Sequence, residues 1–276
     1  MAIKLKKNES FYIREGWFEK AINTINEEKK NIFFKNEGVR FLGIGANMVK
    51  GLKYWLAAAE IISGKENELT DFGKDLLKYD PYLDTKFSWF LIHYFLVMNR
   101  EECPIFNLVF NAETTTFRKQ DMTDYVYHQL MNEDSKVNKK FVEADMNVFL
   151  KSYVNEVPIL NPEDNYVCPL SSLKLLKCDS SGYRRTTPAY NSLSYLIVYY
   201  ALTEINSEDS FNIEDSMEAK NSPMRIFNLD KYMYLQYLDE MRKNELVTIN
   251  KTAGLNTVYF EKRQSLDDLF QVNFRR

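Results

Sequence analysis

The run VRFLGIGANMVKGLKYWLAAAEII, residues 39–62, constrains the fold more than any other stretch of this chain. Its pattern predicts a short helix, a glycine turn and a second helix. Gly43 and Gly45 bracket Ile44, so the backbone there can turn sharply and take positive φ without steric cost. Ala46 or Asn47 opens the second helix, and Asn47 is the better N-cap because its side chain can accept from free amides. Met48, Leu52, Trp55, Leu56 and Ala59 recur at three- and four-residue intervals and form one apolar stripe. Gly51 costs roughly 1 kcal/mol of helix propensity, which calls for a close backbone approach at that point. A polar turn over residues 63–68 and then Leu69-Thr70-Asp71-Phe72-Gly73 follow. Helix, turn, helix and small wing is the plan of a winged helix-turn-helix, a module that often docks on DNA.

The free face of the second helix carries Asn47, Lys50, Lys53 and Tyr54. Lysines and an asparagine there suit phosphates and base edges. Lys65 in the wing adds a backbone contact, and Arg14 and Arg40 are weaker candidates because either can form a structural ion pair. The same face also fits a protein-binding winged helix, or an ordinary solvated helix surface.

A chain of 276 residues with 45% hydrophobic and 14% aromatic residues can build one large core or two to three small ones. Its net charge of −3 conceals a division. Residues 1–62 carry 11 Lys+Arg against 7 Asp+Glu, residues 63–220 carry 16 against 25, and residues 221–276 carry 9 against 7. An acidic middle between basic ends is unlike a protein coated for nonspecific nucleic-acid binding, so DNA would meet a local basic face. Cys103, Cys168 and Cys178 are too few and too scattered for a disulfide framework. With only His93 and His128 available, no metal site is expected, and no cofactor. The charged N-terminus has no signal-peptide pattern, and the apolar runs 87–97 and 193–202 are far short of the ~20 residues that cross a bilayer. These features predict a reduced cytoplasmic protein away from any membrane.

The expected fold class is mainly α with small β wings. Residues 1–83 form the winged helix-turn-helix, with a helix over 15–25 burying Trp17, Phe18, Ala21 and Ile25, and a closing helix over 70–79 capped by Thr70. Asp80-Pro81 ends that helix. Residues 84–205 form a helical middle domain with helices over 87–97, 103–111, 121–132, 137–154 and 189–204, and a loop-rich stretch over 157–188. Residues 206–221 read as an acidic linker. Residues 222–276 form a winged-helix-like unit: a helix over 230–243 with Met233, Leu235, Tyr237, Leu238 and Met241 in its core, then strands 245–250 and 257–260 about a glycine turn.

Catalytic signatures are missing. Gly43-Ile44-Gly45 lacks both the Lys-Ser/Thr of a phosphate loop and the third glycine of a dinucleotide fingerprint. His93 and His128 lie in apolar or tyrosine-rich patterns that suit packing. Asp209, Glu214 and Asp215 have no nuclease-like setting, so no catalytic residue is assigned. Arg184 and Arg185, set among serines, threonines and Gly182 ahead of a helix, fit a phosphate or an acidic partner; the other reading is a surface loop whose arginines pair with the acidic middle.

Several short patterns, in order along nearly the whole chain, carry a resemblance. They are residues 9–11 (ESF), 14–17 (REGW), 42–49 (LGIGANMV), 54–55 (YW), 69–73 (LTDFG), 80–83 (DPYL), 168–170 (CPL), 222–227 (SPMRIF) and 252–255 (TAGL). On these the chain resembles an uncharacterised bacterial family of unknown function. The family is encoded beside phosphoadenosine-phosphosulfate-reductase-like genes in DNA phosphorothioation and phage-defence islands. Where the family pattern often has a lysine, this chain has Ala46, which leaves phosphate contact there to Lys50 and Lys53. The resemblance implies no catalytic residue. With the helix-turn-helix it implies a non-catalytic subunit that binds or positions double-stranded DNA. The alternatives are an adaptor that docks a sulfurtransferase or other defence subunit, such as the reductase-like protein, without contacting DNA, and a transcriptional regulator of the locus.

Overall fold

Helix α1 (Trp17–Glu28) starts where Gly16 takes a left-handed φ of 76°, and it buries Trp17, Phe18, Ala21, Ile22 and Ile25 along one side. The four residues expected on that face are buried, and Ile22 joins them. The computed structural model describes residues 3–35, 37–154, 167–252 and 255–275. Two units are present, Met1–Thr186 and Thr187–Arg276.

In the first unit, α2 (Glu37–Leu42) leads through Gly43, at φ 66°, into α3 (Ala46–Ala58). Gly45 is extended at φ −62° and occupies the N-cap, so only one of the two glycines uses the left-handed region. Asn47 therefore sits inside the first turn and does not cap the helix. The buried stripe of α3 is turned slightly from expectation. Val49, Leu52, Trp55, Leu56 and Ala58 are buried, and Met48 is half-buried. Strands β1 (Ile62–Ser63) and β2 (Glu68–Leu69) then pair as a short antiparallel hairpin. Helix α4 (Asp71–Tyr79) follows, its Thr70 hydroxyl accepting the Gly73 N–H at 3.0 Å. Helix α1 packs on α2, α3, α4 and β2.

Asp80 joins this part to the next. Its carboxylate accepts from the Thr85 and Ser88 hydroxyls, both at 2.6 Å, and from the Asp84 N–H at 3.0 Å. These bonds hold the start of α5 (Lys86–Met98), which is buried from Phe87 to Val97. Burial on all sides explains why its sequence is apolar without a polar face. Around it lie α6 (Pro104–Asn111), α7 (Lys119–Glu133) and α8 (Lys139–Tyr153). Phe106, Phe110, Phe149 and Tyr153 pack with rings 5.0–5.9 Å apart, and His93 Nδ1 lies 2.6 Å from the Tyr153 hydroxyl. His93 is thus a core histidine. Strand β3 (Thr116–Phe117), a 3₁₀ turn at Pro169–Leu173, β4 (Leu176–Asp179) and β5 (Gly182–Arg185) complete the unit, with strand order β3-β5-β4, all antiparallel. Residues 176–185 of the stretch expected to be loop-rich thus form a hairpin. The loop expected over 157–166 lies outside the described residues.

The second unit holds α9 (Tyr195–Ile205), β6 (Ser210–Asn212), α10 (Ile213–Glu218), α11 (Pro223–Ile226), α12 (Lys231–Lys243), β7 (Val247–Thr252), β8 (Leu255–Phe260) and α13 (Leu266–Phe274). Strand order is β6-β8-β7. The stretch read as an acidic linker is folded: Phe211 inserts into the core of the unit and β6 pairs with β8, while the carboxylates of 208–215 stay at its surface. Helix α9, grouped by its position with the middle helices, packs instead on α11, α12 and α13. On α12 the buried side is Tyr234, Tyr237, Leu238 and Met241, whereas Leu235 is exposed. Residues 253–254 of the expected glycine turn lie outside the description. The chain is mainly helical, with small antiparallel sheets. Among the described residues no helix is long and apolar enough to cross a membrane.

Candidate nucleic-acid interface

The exposed ridge of α3 consists of Ala46, Asn47, Lys50, Lys53 and Ala57. Residues 46, 50, 53 and 57 follow the i, i+4, i+7, i+11 spacing of one helix face. Small alanines at both ends leave the lysines unobstructed. Lys50 Nζ reaches only Asn47 Oδ1, at 3.4 Å, and neither Lys50 nor Lys53 joins an ion pair among the described residues. Two unneutralised ammonium groups one helical turn apart form a local cationic strip.

Tyr54 leaves this face. Its hydroxyl donates to the Glu102 carbonyl at 2.6 Å and lies 3.4 Å from Cys103 Sγ. Burial holds its phenol well above the ordinary tyrosine range. The helical wheel places Tyr54 beside Lys50 and Lys53, but the loop before α6 covers it.

Gly51 explains its own presence. A Cβ built there would lie 2.8 Å from the Asn8 carbonyl oxygen, so the N-terminal segment crosses α3 at backbone distance. Trp55 Nε1 donates to the Phe11 carbonyl at 2.9 Å and fixes the same segment one turn on. At this crossing Asn8 meets Gly51, and the chain neighbours of the two residues are Lys7 and Lys50. Lys7 is exposed and joins no ion pair among the described residues. No local periodicity marks it, because its placement depends on a contact more than forty residues away in sequence.

Lys65 lies exposed on the turn between β1 and β2. Its carbonyl accepts from the side-chain amides of Asn31 and Asn67, each at 3.3 Å, and Asn67 Nδ2 also donates to Asn31 Oδ1 at 3.0 Å. The turn backbone is thereby tied down while the ammonium points to solvent. A cleft of about 660 Å³ beside this turn is lined by Lys29, Lys30 and Lys74 but also by Glu66 and Glu68, so it has no single sign.

The arginines serve the fold. Arg14 is half-buried over the rings of Phe11 and Trp17, each at 5.5 Å. Arg40 stacks over Phe41 at 4.5 Å and lies 3.7 Å from Glu37. Arg184 and Arg185 are adjacent on β5 and therefore point to opposite faces. Arg184 is exposed and 3.9 Å from Asp179. Arg185 donates to the carbonyls of Val109, Phe110 and Ala112, the last at 2.7 Å, and so caps the C-terminus of α6. That geometry occupies one of the two guanidinium groups offered for a phosphate, and the pair does not act together.

The buried nucleophile candidates are quiet. Burial pushes the thiols of Cys103 and Cys168 up to about 12. Cys178 is exposed. Among the described residues no three His, Cys, Asp or Glu side chains converge in a way that would hold a metal ion.

Two solved structures resemble this chain. Both are crystal structures of a protein called SspB, one of them magnesium ion-bound. The magnesium-bound one superposes with a TM-score of 0.86 at 21% identity, and the other with 0.81 at 20%; each match covers 98% of this chain and 88% of the other. At that identity the likeness establishes a shared fold. No curated protein matches the chain. A family model described as "Protein of unknown function (DUF4007)" matches residues 6–272.

Proposed function

We propose, for a chain that belongs to the DUF4007 family of proteins of unknown function, that it binds the phosphate backbone of double-stranded DNA. In this reading α2, the glycine turn, α3 and the β1–β2 hairpin act as a winged helix-turn-helix. The carrying observation is the α3 ridge, where Lys50 and Lys53 stand exposed and unneutralised beside Asn47. Lys65 extends the strip onto the hairpin. Backbone contacts of this kind position a protein on a duplex and supply most of its nonspecific affinity.

The role is a non-catalytic DNA-binding or DNA-positioning subunit of a DNA sulfur-modification or phage-defence system, acting in the cytoplasm. The system-level part rests on the family resemblance of the sequence patterns, and the fold shared with SspB is compatible with it. The non-catalytic part is supported by the buried His93 and by two thiols held protonated at neutral pH. A second reading, an adaptor that docks a reductase-like or other defence subunit, is favoured by Tyr232 and Leu235 on α12, 73% and 39% exposed.

Fluorescence anisotropy of labelled duplex DNA, with and without phosphorothioate, at about 50 and 200 mM salt tests the proposal. The parent should bind at low salt and weaken steeply as salt rises. Lys50→Ala/Lys53→Ala should lower the salt slope by about 1.8, the release expected from two phosphates, whereas Arg242→Ala/Lys243→Ala should leave it unchanged. A parent that does not bind duplex DNA at low salt overturns the proposal and leaves the adaptor reading.

A further inference from the structure

The segment Lys6–Ser10 is held on α3 by an acid from a distant helix. Asp145 of α8 accepts the Lys6 N–H at 2.7 Å through one carboxylate oxygen and Asn8 Nδ2 at 2.8 Å through the other. Asn8 is 3% exposed, and its own Oδ1 accepts the Ser10 N–H at 2.8 Å. Lys6, Glu9 and Ser10 all adopt left-handed φ, at 57°, 53° and 66°. Such conformations are unfavourable for residues with a Cβ and persist where surrounding contacts over-determine them. Here those contacts are the Asp145 carboxylate and the Gly51 backbone. Lys6 Nζ is engaged as well, 5.4 Å from the centre of the Phe141 ring.

Every part of this loop except Lys7 and Glu9 has a partner that shapes it. A tightly specified backbone that crosses the lysine-bearing helix at Gly51 and carries one exposed lysine with no ion pair among the described residues is a preorganised anion contact. We infer that Lys7 is a phosphate contact of the same DNA-binding face and that Asp145 is its positioning residue. This inference rests on the DNA-binding reading of α3. Its ligand class is the phosphodiester backbone of a duplex. Asp145 acts through the backbone of Lys6 and the side chain of Asn8 and does not itself meet the nucleic acid.

The test is the same anisotropy titration on the full chain, read as the slope of log affinity against log salt. The slope does not depend on the fraction of protein that is folded. Lys7→Ala removes an exposed side chain with no partner among the described residues and should lower the slope by about 0.9, the release from one phosphate. Asp145→Asn places an amide opposite two donors; it should lower the slope by the same amount, and adding Lys7→Ala to it should change nothing more. Glu9→Gln, which removes the opposing charge from the loop, should tighten binding.

A parent and Lys50→Ala/Lys53→Ala that behave as proposed, alongside Lys7→Ala with the parental slope, would overturn this inference alone. Additive slopes for Asp145→Asn and Lys7→Ala would overturn the positioning role of Asp145. Absence of parental binding would instead overturn the DNA-binding reading.

Discussion

Helices α3 and α12 invite comparison because each is a thirteen-residue helix followed by an antiparallel hairpin, one in each unit. Their buried sides are alike: Trp55 anchors α3, and Tyr234 and Tyr237 anchor α12. Their exposed sides differ. On α3, Lys50 and Lys53 join no ion pair among the described residues. On α12, Asp239 takes both cations, with Arg242 Nη2 and Lys243 Nζ each at 2.7 Å. What α12 leaves uncovered is Tyr232 and Leu235. Connectivity therefore says little about the ligand. The pairing of charges on the free face decides whether a helix followed by a hairpin presents cations or apolar surface.

The largest effects should test the shared half of the comparison. Trp55→Ala and Tyr237→Ala each remove a buried aromatic, and Tyr237 also donates to the carbonyls of Tyr190 and Leu193, at 3.1 and 3.0 Å. Each substitution should cost about 3–5 kcal/mol in chemical denaturation. A much smaller loss at either one would show that the two helices are not equally embedded.

A smaller effect addresses the difference. Asp239→Asn frees Arg242 and Lys243. In the Lys50→Ala/Lys53→Ala background it should restore a weak salt-dependent affinity for duplex DNA, with a slope rising by at most about 1.8. If the slope stays flat, charge pairing does not separate the two helices, and shape must.

The smallest effect is in acid. Hydrogen bonds from Lys243 and Arg242 hold the Asp239 carboxyl down to about 2. Stability linked to this group is present above its ordinary value of 3.8 and is lost as pH falls through about 2. Asp145 behaves oppositely: burial raises its carboxyl above 3.8, against the opposing hydrogen bonds from Lys6 and Asn8. Its linked contribution is full below 3.8 and is lost as pH rises through the raised value. Carboxyl ¹³C titration by NMR should find the Asp239 midpoint near 2 and that of Asp145 above 3.8.

What could be read from sequence was local. The buried face of α1 carrying Trp17, Phe18, Ala21 and Ile25, the Thr70 cap and the close approach at Gly51 each depend on a few neighbours along the chain, and each is present. What could not be read depends on distant partners. Tyr54 sits at an outward wheel position, but its hydroxyl finds a carbonyl 48 residues on. Arg184 and Arg185 look like a pair in sequence; a strand separates them, and the end of α6 claims the second. The acidic run around Asp209 hides a strand because Phe211 alone carries its apolar signal. Lys7 acquires its setting only when α8 supplies Asp145.

The Arg185 cap has a consequence for how the chain comes off the ribosome. The last carbonyls of α6 wait for a guanidinium that emerges 73 residues after Ala112. At about 5–20 residues per second of synthesis, that interval is roughly 4–15 s. During it α6 lacks that cap, and β3 lacks β5, its neighbour in the sheet. The first unit therefore closes only when translation has nearly reached its last residue, and α3, although made early, gains its finished support late.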